Sequence, residues 1–220
     1  MLTSGNPSAL RTKFGLPDGF VREILNFVVD VWKVFEPPSD LEVPITNLFR
    51  ETLAEEYAWR GYPWFISLEE PVVNLKTGQA PRRTNIRFFH RTVPGQNDFF
   101  VLETKRLNLI GKKSIISNAD EYIKDGMIRF VTGGYSKGLS SAAMVGYVMN
   151  GHIASARRSV NKKIYVERNL LCCEGEAAVT ACDHVISSEL GGQTQHLRAV
   201  EHGGALTLYH LFLAVKQDKS

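Results

Sequence analysis

Nothing in this chain is long and apolar enough to span a bilayer as a helix, because no run approaches the ~20 apolar residues a crossing needs. The opening residues, Met1-Leu2-Thr3-Ser4-Gly5-Asn6-Pro7, lack the apolar core of a secretory signal, so a cytoplasmic location is the expectation. Cysteine is scarce, with three in 220 residues: Cys172, Cys173 and Cys182. An odd number with two adjacent makes a poor disulfide framework and suits a reducing compartment. Cys172, Cys182 and His184 match no familiar zinc-ligand spacing, so the cysteines read as packed thiols. No internal repeat and no low-complexity tract is present. Charge of one sign is not in excess: 26 Lys and Arg face 23 Asp and Glu, a net charge of +3, compatible with a polyanionic partner without demanding one.

What is there is ordinary globular material, 44% hydrophobic and 22% charged, enough for one sizeable core with room for an appended subdomain. Residues 1–17 are polar and hold Gly5, Pro7, Gly15 and Pro17, which reads as a lead-in arm. Asp18 is a good N-cap, and Val21, Ile24, Leu25, Val28, Val31, Trp32 and Phe35 recur at helical spacing until Pro37-Pro38 stops them. A second helix is expected from Glu42 to Trp59, with Ile45, Leu48, Phe49, Leu53 and Tyr57 as its buried stripe. Trp64 to Leu68 and Arg82 to His90 read as strands.

Phe99-Phe100-Val101-Leu102 is an unbroken aromatic and β-branched run of strand length, suited to a central strand covered on both faces. It continues into Glu103-Thr104-Lys105, where the acid and the lysine, two apart, share a face of the strand. A carboxylate and an ammonium at the end of a buried strand are costly to desolvate unless tightly partnered or employed. A strand-edge ion pair is one reading. The other is a carboxylate that holds a hard divalent cation beside a lysine that steadies a water nucleophile or phosphate charge.

Downstream, a helix is expected over Ala119 to Val131, with Ile123, Met127 and Phe130 buried. Another is expected from Ser140 or Ser141 through Met149, and a further one over His152 to Val160. Ile164 to Cys173 contains a candidate strand, and Thr194 to Val200 and Ala205 to Val215 read as two strands around a Glu201-His202-Gly203-Gly204 turn. His196 and His210 on those strands read as structural.

Two strands, then Glu103-x-Lys105, then a helix: this order resembles the PD-(D/E)xK nuclease superfamily. Residues 126–131, Gly134-Tyr135-Ser136 and Met144-Val145-Gly146-Tyr147-Val148 resemble a bacterial subset of it associated with restriction or phage defence. The resemblance covers roughly residues 40–150. It implies an α/β fold with a restriction endonuclease-like central mixed β-sheet flanked by helices, spanning 38–220, with residues 1–37 as an N-terminal arm and helix. It implies a Mg²⁺- or Mn²⁺-dependent endodeoxyribonuclease. DNA would be the partner, joined by a second copy or an accessory protein, and no membrane is involved.

Carried over by position, Glu103 is a metal ligand, Lys105 positions the attacking water, and the Thr104 carbonyl is a further ligand. Glu42 is the helical acid, with Glu51 and Glu55 as substitutes. The family's Asp falls on Asn85, a departure with three explanations: a deliberate inactivating substitution, a ligand supplied elsewhere such as Asp98, or a degenerate member that binds nucleic acid without cutting. Arg82, Arg83, Arg87, Lys112 and Lys113 are the candidate phosphate contacts, and Tyr135 and Lys137 the candidate substrate contacts on a glycine-rich loop.

Overall fold

The computed structural model describes residues 18–62, 64–67, 85–90, 99–134, 138–185 and 187–216. Helix α1 (Asp18–Val34) ends just before the proline pair. Helix α2 (Glu42–Arg60) carries Pro44 in its first turn, where a missing N–H has no helical partner to lose, and closes on Gly61 at φ +66°. Strands β1 (Trp64–Ser67), β2 (Asn85–His90) and β3 (Phe99–Leu107) follow. A two-stranded hairpin, β4 (Leu109–Ile110) and β5 (Ile115–Ile116), then branches off.

The expected helix after it runs from α3 (Ala119–Tyr122) to α4 (Ile128–Val131) through a π-turn at Ile123–Met127. Gly126 lies in that turn against Met144, whose methyl occupies the space a β-carbon would need. The chain continues through β6 (Ser141–Val148), α5 (Ile153–Val166), β7 (Cys173–Glu174), β8 (Gly191–Leu197) and β9 (Ala205–Ala214).

Seven strands form one mixed sheet in the order β1-β2-β3-β6-β9-β8-β7. β1, β2 and β3 are an antiparallel meander, β6 runs parallel to both β3 and β9, and β7, β8 and β9 are again antiparallel. The α3–α4 segment is therefore the crossover that joins two adjacent parallel strands. Helices cover both faces. Phe100, Leu102, Val145 and Tyr147 pack with α1 and α2, and Val101, Leu107, Met144 and Phe212 pack with the crossover and α5.

Two expectations are corrected. The helix expected from Ser140 or Ser141 to Met149 is the strand β6, every residue of which is buried. Its Ala, Met and Gly content suits a helix by propensity, but lying between β3 and β9 it is buried on both faces, and packing overrides propensity. The strand expected within Ile164 to Cys173 is instead the last turn of α5 and a run of turns, with only Cys173 in a strand. The hairpin of β8 and β9 pairs across the expected turn. Among the described residues, no helix is long and apolar enough to cross a membrane.

Candidate functional site

Alternation along β3 sends Thr104 to one face of the sheet and Glu103 and Lys105 to the other. The Thr104 hydroxyl lies 2.9 Å from that of Thr46 on α2, and Tyr147 lies 3.4 Å from Thr46, so it belongs to a buried hydroxyl cluster. Its chain neighbours Glu103 and Lys105 lie beneath the π-turn, where a β-carbon on Gly126 would touch the Lys105 stem at 3.8 Å.

Lys105 Nζ lies 3.1 Å from Glu103 Oε1 and 3.0 Å from Glu42 Oε1. The described pairing of β2 with β3 ends at Asn85–Glu103, and it is just beyond this end that Glu42, in the first turn of α2, meets the lysine. Glu42 is thus the helical acid of the constellation. Glu51 and Glu55 are exposed further along α2, with Glu51 about 13 Å from Glu42 by helical rise.

Glu103 is completely buried and Lys105 is 7% exposed. Burial pushes the Glu103 carboxyl up to about 7, and the neighbouring Lys105 charge only partly opposes it. Burial pulls the Lys105 ammonium down, but the two carboxylates outweigh it and its pKa is raised. Arg129 on α4 is a further cation whose charge acts on Glu103, a contributor the sequence reading missed. It also lies 3.5 Å from Asp125 one helical turn away, and the helical spacing of Asp125 and Arg129 is the only sequence signal that it belongs to this layer.

Asn85 stands directly opposite Glu103 in the β2–β3 register, so the two positions share a face. Arg87 follows on that face, with its guanidinium 4.9 Å from the centre of the Phe99 ring. Lys112 and Lys113 are exposed on the turn of the β4–β5 hairpin, away from the triad's own elements. Arg82, Arg83, Asp98, Tyr135 and Lys137 lie outside the described residues.

A hard cation fits part of this arrangement. Oε1 of the buried Glu103 carboxylate meets the Lys105 ammonium at 3.1 Å, and Oε2 accepts no hydrogen bond. A buried lone-pair site of that kind is what a hard cation satisfies, and Mg²⁺ commonly takes only one or two protein carboxylates and fills its shell with water and phosphate oxygen. Glu103 and Glu42 are the donors of that type, and position 85 shares the Glu103 face by register. Among the described residues, no three His, Cys, Asp or Glu side chains group to hold a metal ion. The three cysteines are free thiols.

His196 and His210 have a different role. His196 Nδ1 lies 2.8 Å from the Leu171 carbonyl, which can only accept, so Nδ1 carries the hydrogen. Burial holds His196 down to about 4 and His210 down to about 3, so both rings are neutral at pH 7. His196 Nε2 is then bare and accepts the Thr194 hydroxyl proton at 2.7 Å. Thr194 in turn accepts from His210 Nε2 at 2.9 Å, and His210 Nδ1 accepts from the Tyr122 hydroxyl at 2.9 Å. The result is a buried chain with one polarity and no unmet group among its linked atoms. It joins the crossover to the β8–β9 hairpin, and Met144 stands between His210 and Glu103 in the register across the sheet.

Comparison of the chain with protein-family models, with curated proteins and with solved structures finds no match.

Proposed function

We propose that this chain is a Mg²⁺-dependent DNA endonuclease of the restriction endonuclease-like class. The observation that carries the reading is Lys105 held between Glu103 on its own strand and Glu42 on a preceding helix, 3.1 and 3.0 Å away. The antiparallel β2–β3 pair and the helical segment after it agree with the order of elements that the resemblance implies. A role in restriction or anti-phage defence rests on the sequence resemblance.

When bound, a hard divalent cation supplies Lewis-acid polarisation of the phosphate and a more acidic water. Glu103 and Glu42 would hold it, and Asn85 would add a neutral oxygen where the resemblance expects a charge. Lys105 hydrogen-bonds the attacking water and offsets the charge that develops on the phosphate oxygens. The raised pKa of its ammonium keeps it a donor through neutral pH. Arg87, on the Glu103 face, contacts the DNA backbone.

A second reading is a nucleic-acid-binding subunit that does not cut, and the neutral Asn85 opposite Glu103 favours it. A plasmid-cleavage assay with Mg²⁺ or Mn²⁺ separates the two, using this chain, Asn85→Asp and Glu103→Gln. Nuclease function requires cutting by the chain or by Asn85→Asp, abolished when Glu103→Gln is added. No cutting by either, with DNA binding that falls as salt rises and ignores EDTA, establishes the second reading.

A further inference from the structure

A cavity of about 530 Å³ opens where the three parallel strands end. Arg106 lies at the end of β3, and Met149 and Val215 immediately follow β6 and β9. In open α/β sheets this edge, beyond the carboxyl ends of the parallel strands, is where ligands bind, and the volume falls within the ~300–1,000 Å³ of small-molecule sites. The β4–β5 hairpin forms one wall through Leu109, Ile110 and Ile116. By the hairpin's register Ile116 shares a face with Leu109 and Ile110 lies on the other, and Ile110 and Ile116 are 62% and 55% exposed.

The polar part of the lining is mainly cationic. Arg106 and Lys216 face a single acid, Asp40. Arg106 donates from Nη1 to the Asp40 carbonyl at 2.7 Å, and its Nε is buried without a hydrogen-bond partner. Lys216 donates only to the Lys33 carbonyl, at 3.1 Å. Among the described residues, neither cation is paired with a carboxylate. Two unneutralised cations beside an apolar wall match a ligand that is itself divided into an anionic group and an apolar body.

We propose that this cavity binds a small amphipathic organic anion, with its carboxylate or phosphate on Arg106 and Lys216 and its apolar body against Ile110, Ile116 and Met149. The inference stands independently of the nuclease reading. Two sources share this chemistry, a fatty-acyl carboxylate and a nucleoside phosphate, and the test distinguishes them.

Isothermal titration calorimetry of the full chain with decanoate, adenosine 5′-monophosphate, decanol and inorganic phosphate is the experiment. Decanoate or the nucleotide binds with a Kd below about 1 mM, and decanol and phosphate bind at least about tenfold more weakly. Arg106→Gln and Lys216→Gln each remove a charge-assisted hydrogen bond and weaken binding about tenfold. Lys216 is exposed at the rim, so Lys216→Gln folds and keeps the test valid if Arg106→Gln does not. Binding of decanoate alone assigns the fatty-acyl class, and binding of the nucleotide alone assigns the nucleoside phosphate class. Absence of binding by both, equal binding of decanol or phosphate, or unchanged affinity in both folded variants overturns the proposal.

Discussion

Asn85 and Glu103 are direct partners across the β2–β3 ladder, so any charge placed at position 85 faces the buried carboxylate. Asn85→Asp sets two acids opposite each other, which costs about 0.2–1 kcal/mol without a cation between them. Differential scanning fluorimetry should show a lower Tm than the unsubstituted chain in EDTA, and a larger upward shift on adding Mg²⁺. Equal Mg²⁺ shifts in the two proteins would argue against a cation at this position.

The triad is asymmetric, and its two ends should respond differently to neutralisation. Lys105→Met leaves Glu103 and Glu42 without their shared cation and should cost about 3–5 kcal/mol in urea denaturation at pH 7. Glu103→Gln removes a desolvated charge whose Oε2 accepts no hydrogen bond, while Lys105 keeps Glu42. It should cost less than about 1 kcal/mol, or stabilise. Similar losses in both variants would show that Glu103 contributes as much to stability as the lysine does.

Acid should weaken the fold before most carboxylates titrate. His196 and His210 have folded pKa values near 4 and 3, below the usual 6.5, so as pH falls below 6.5 the unfolded chain takes up protons that the folded chain refuses. Glu103 works in the opposite direction. Its folded pKa near 7 exceeds the usual 4.5, so its cost grows as pH rises from 4.5 to 7 and is relieved on acidification. Between pH 6.5 and 5 the two histidines remove about 3 kcal/mol and Glu103 returns about 2, for a net loss of about 1 kcal/mol. Urea midpoints in EDTA at the two pH values measure it, and a midpoint that rises in acid contradicts the neutral-histidine assignment.

Thr194 is the hub of the buried polar chain. Thr194→Val nearly preserves its shape but leaves His196 Nε2 without a donor and His210 Nε2 without an acceptor. The expected loss is about 2–4 kcal/mol, read from chemical denaturation. A loss below about 0.5 kcal/mol would mean that water takes over both bonds.

A β-carbon at Gly192 would run into the backbone carbonyl of Thr180, which is held in a bridge to Gln193. Backbone cannot rotate away as a side-chain end can, so Gly192→Ala should cost at least about 1–3 kcal/mol. Gly126→Ala clashes with the end of the Met144 side chain rather than with backbone and should be the milder of the two. Thermal denaturation of both variants tests the order.

The legible parts of the sequence were those with a strong local period or a rare residue pairing. Phe99 to Leu102 ran apolar without a break, so β3 was readable, and Glu103 and Lys105 stood out as charges continuing a buried strand. Glu42 was found through the pattern of the resemblance, and its contact with Lys105 depends on 63 residues of intervening chain that no local period encodes. β6 was misread because Ala142, Ala143 and Met144 are good helix formers, and only its place between two parallel neighbours makes it a strand. Arg129 and the cavity at the strand ends were invisible for the same reason, since each is assembled from segments that meet only in the folded sheet. The histidines were readable as structural, but their burial and their order of donors and acceptors required the fold and the four distances.

The one-way chain from Tyr122 to Leu171 also acts as a proofreading device for assembly. A two-residue slip of β8 against β9 would keep the inside–outside alternation of both strands, so hydrophobic burial alone discriminates poorly against it. A slip that carries Thr194 away from His210 nevertheless breaks the one bond of the network that crosses between these two strands and leaves the buried His210 Nε2–H without its acceptor, while Thr194 and His196 move together on β8. The native alignment, with the crossover seated so that Tyr122 donates to His210, closes the circuit. The polar interior of this protein thus acts as a checksum on strand alignment, rejecting arrangements that an apolar interior would accept.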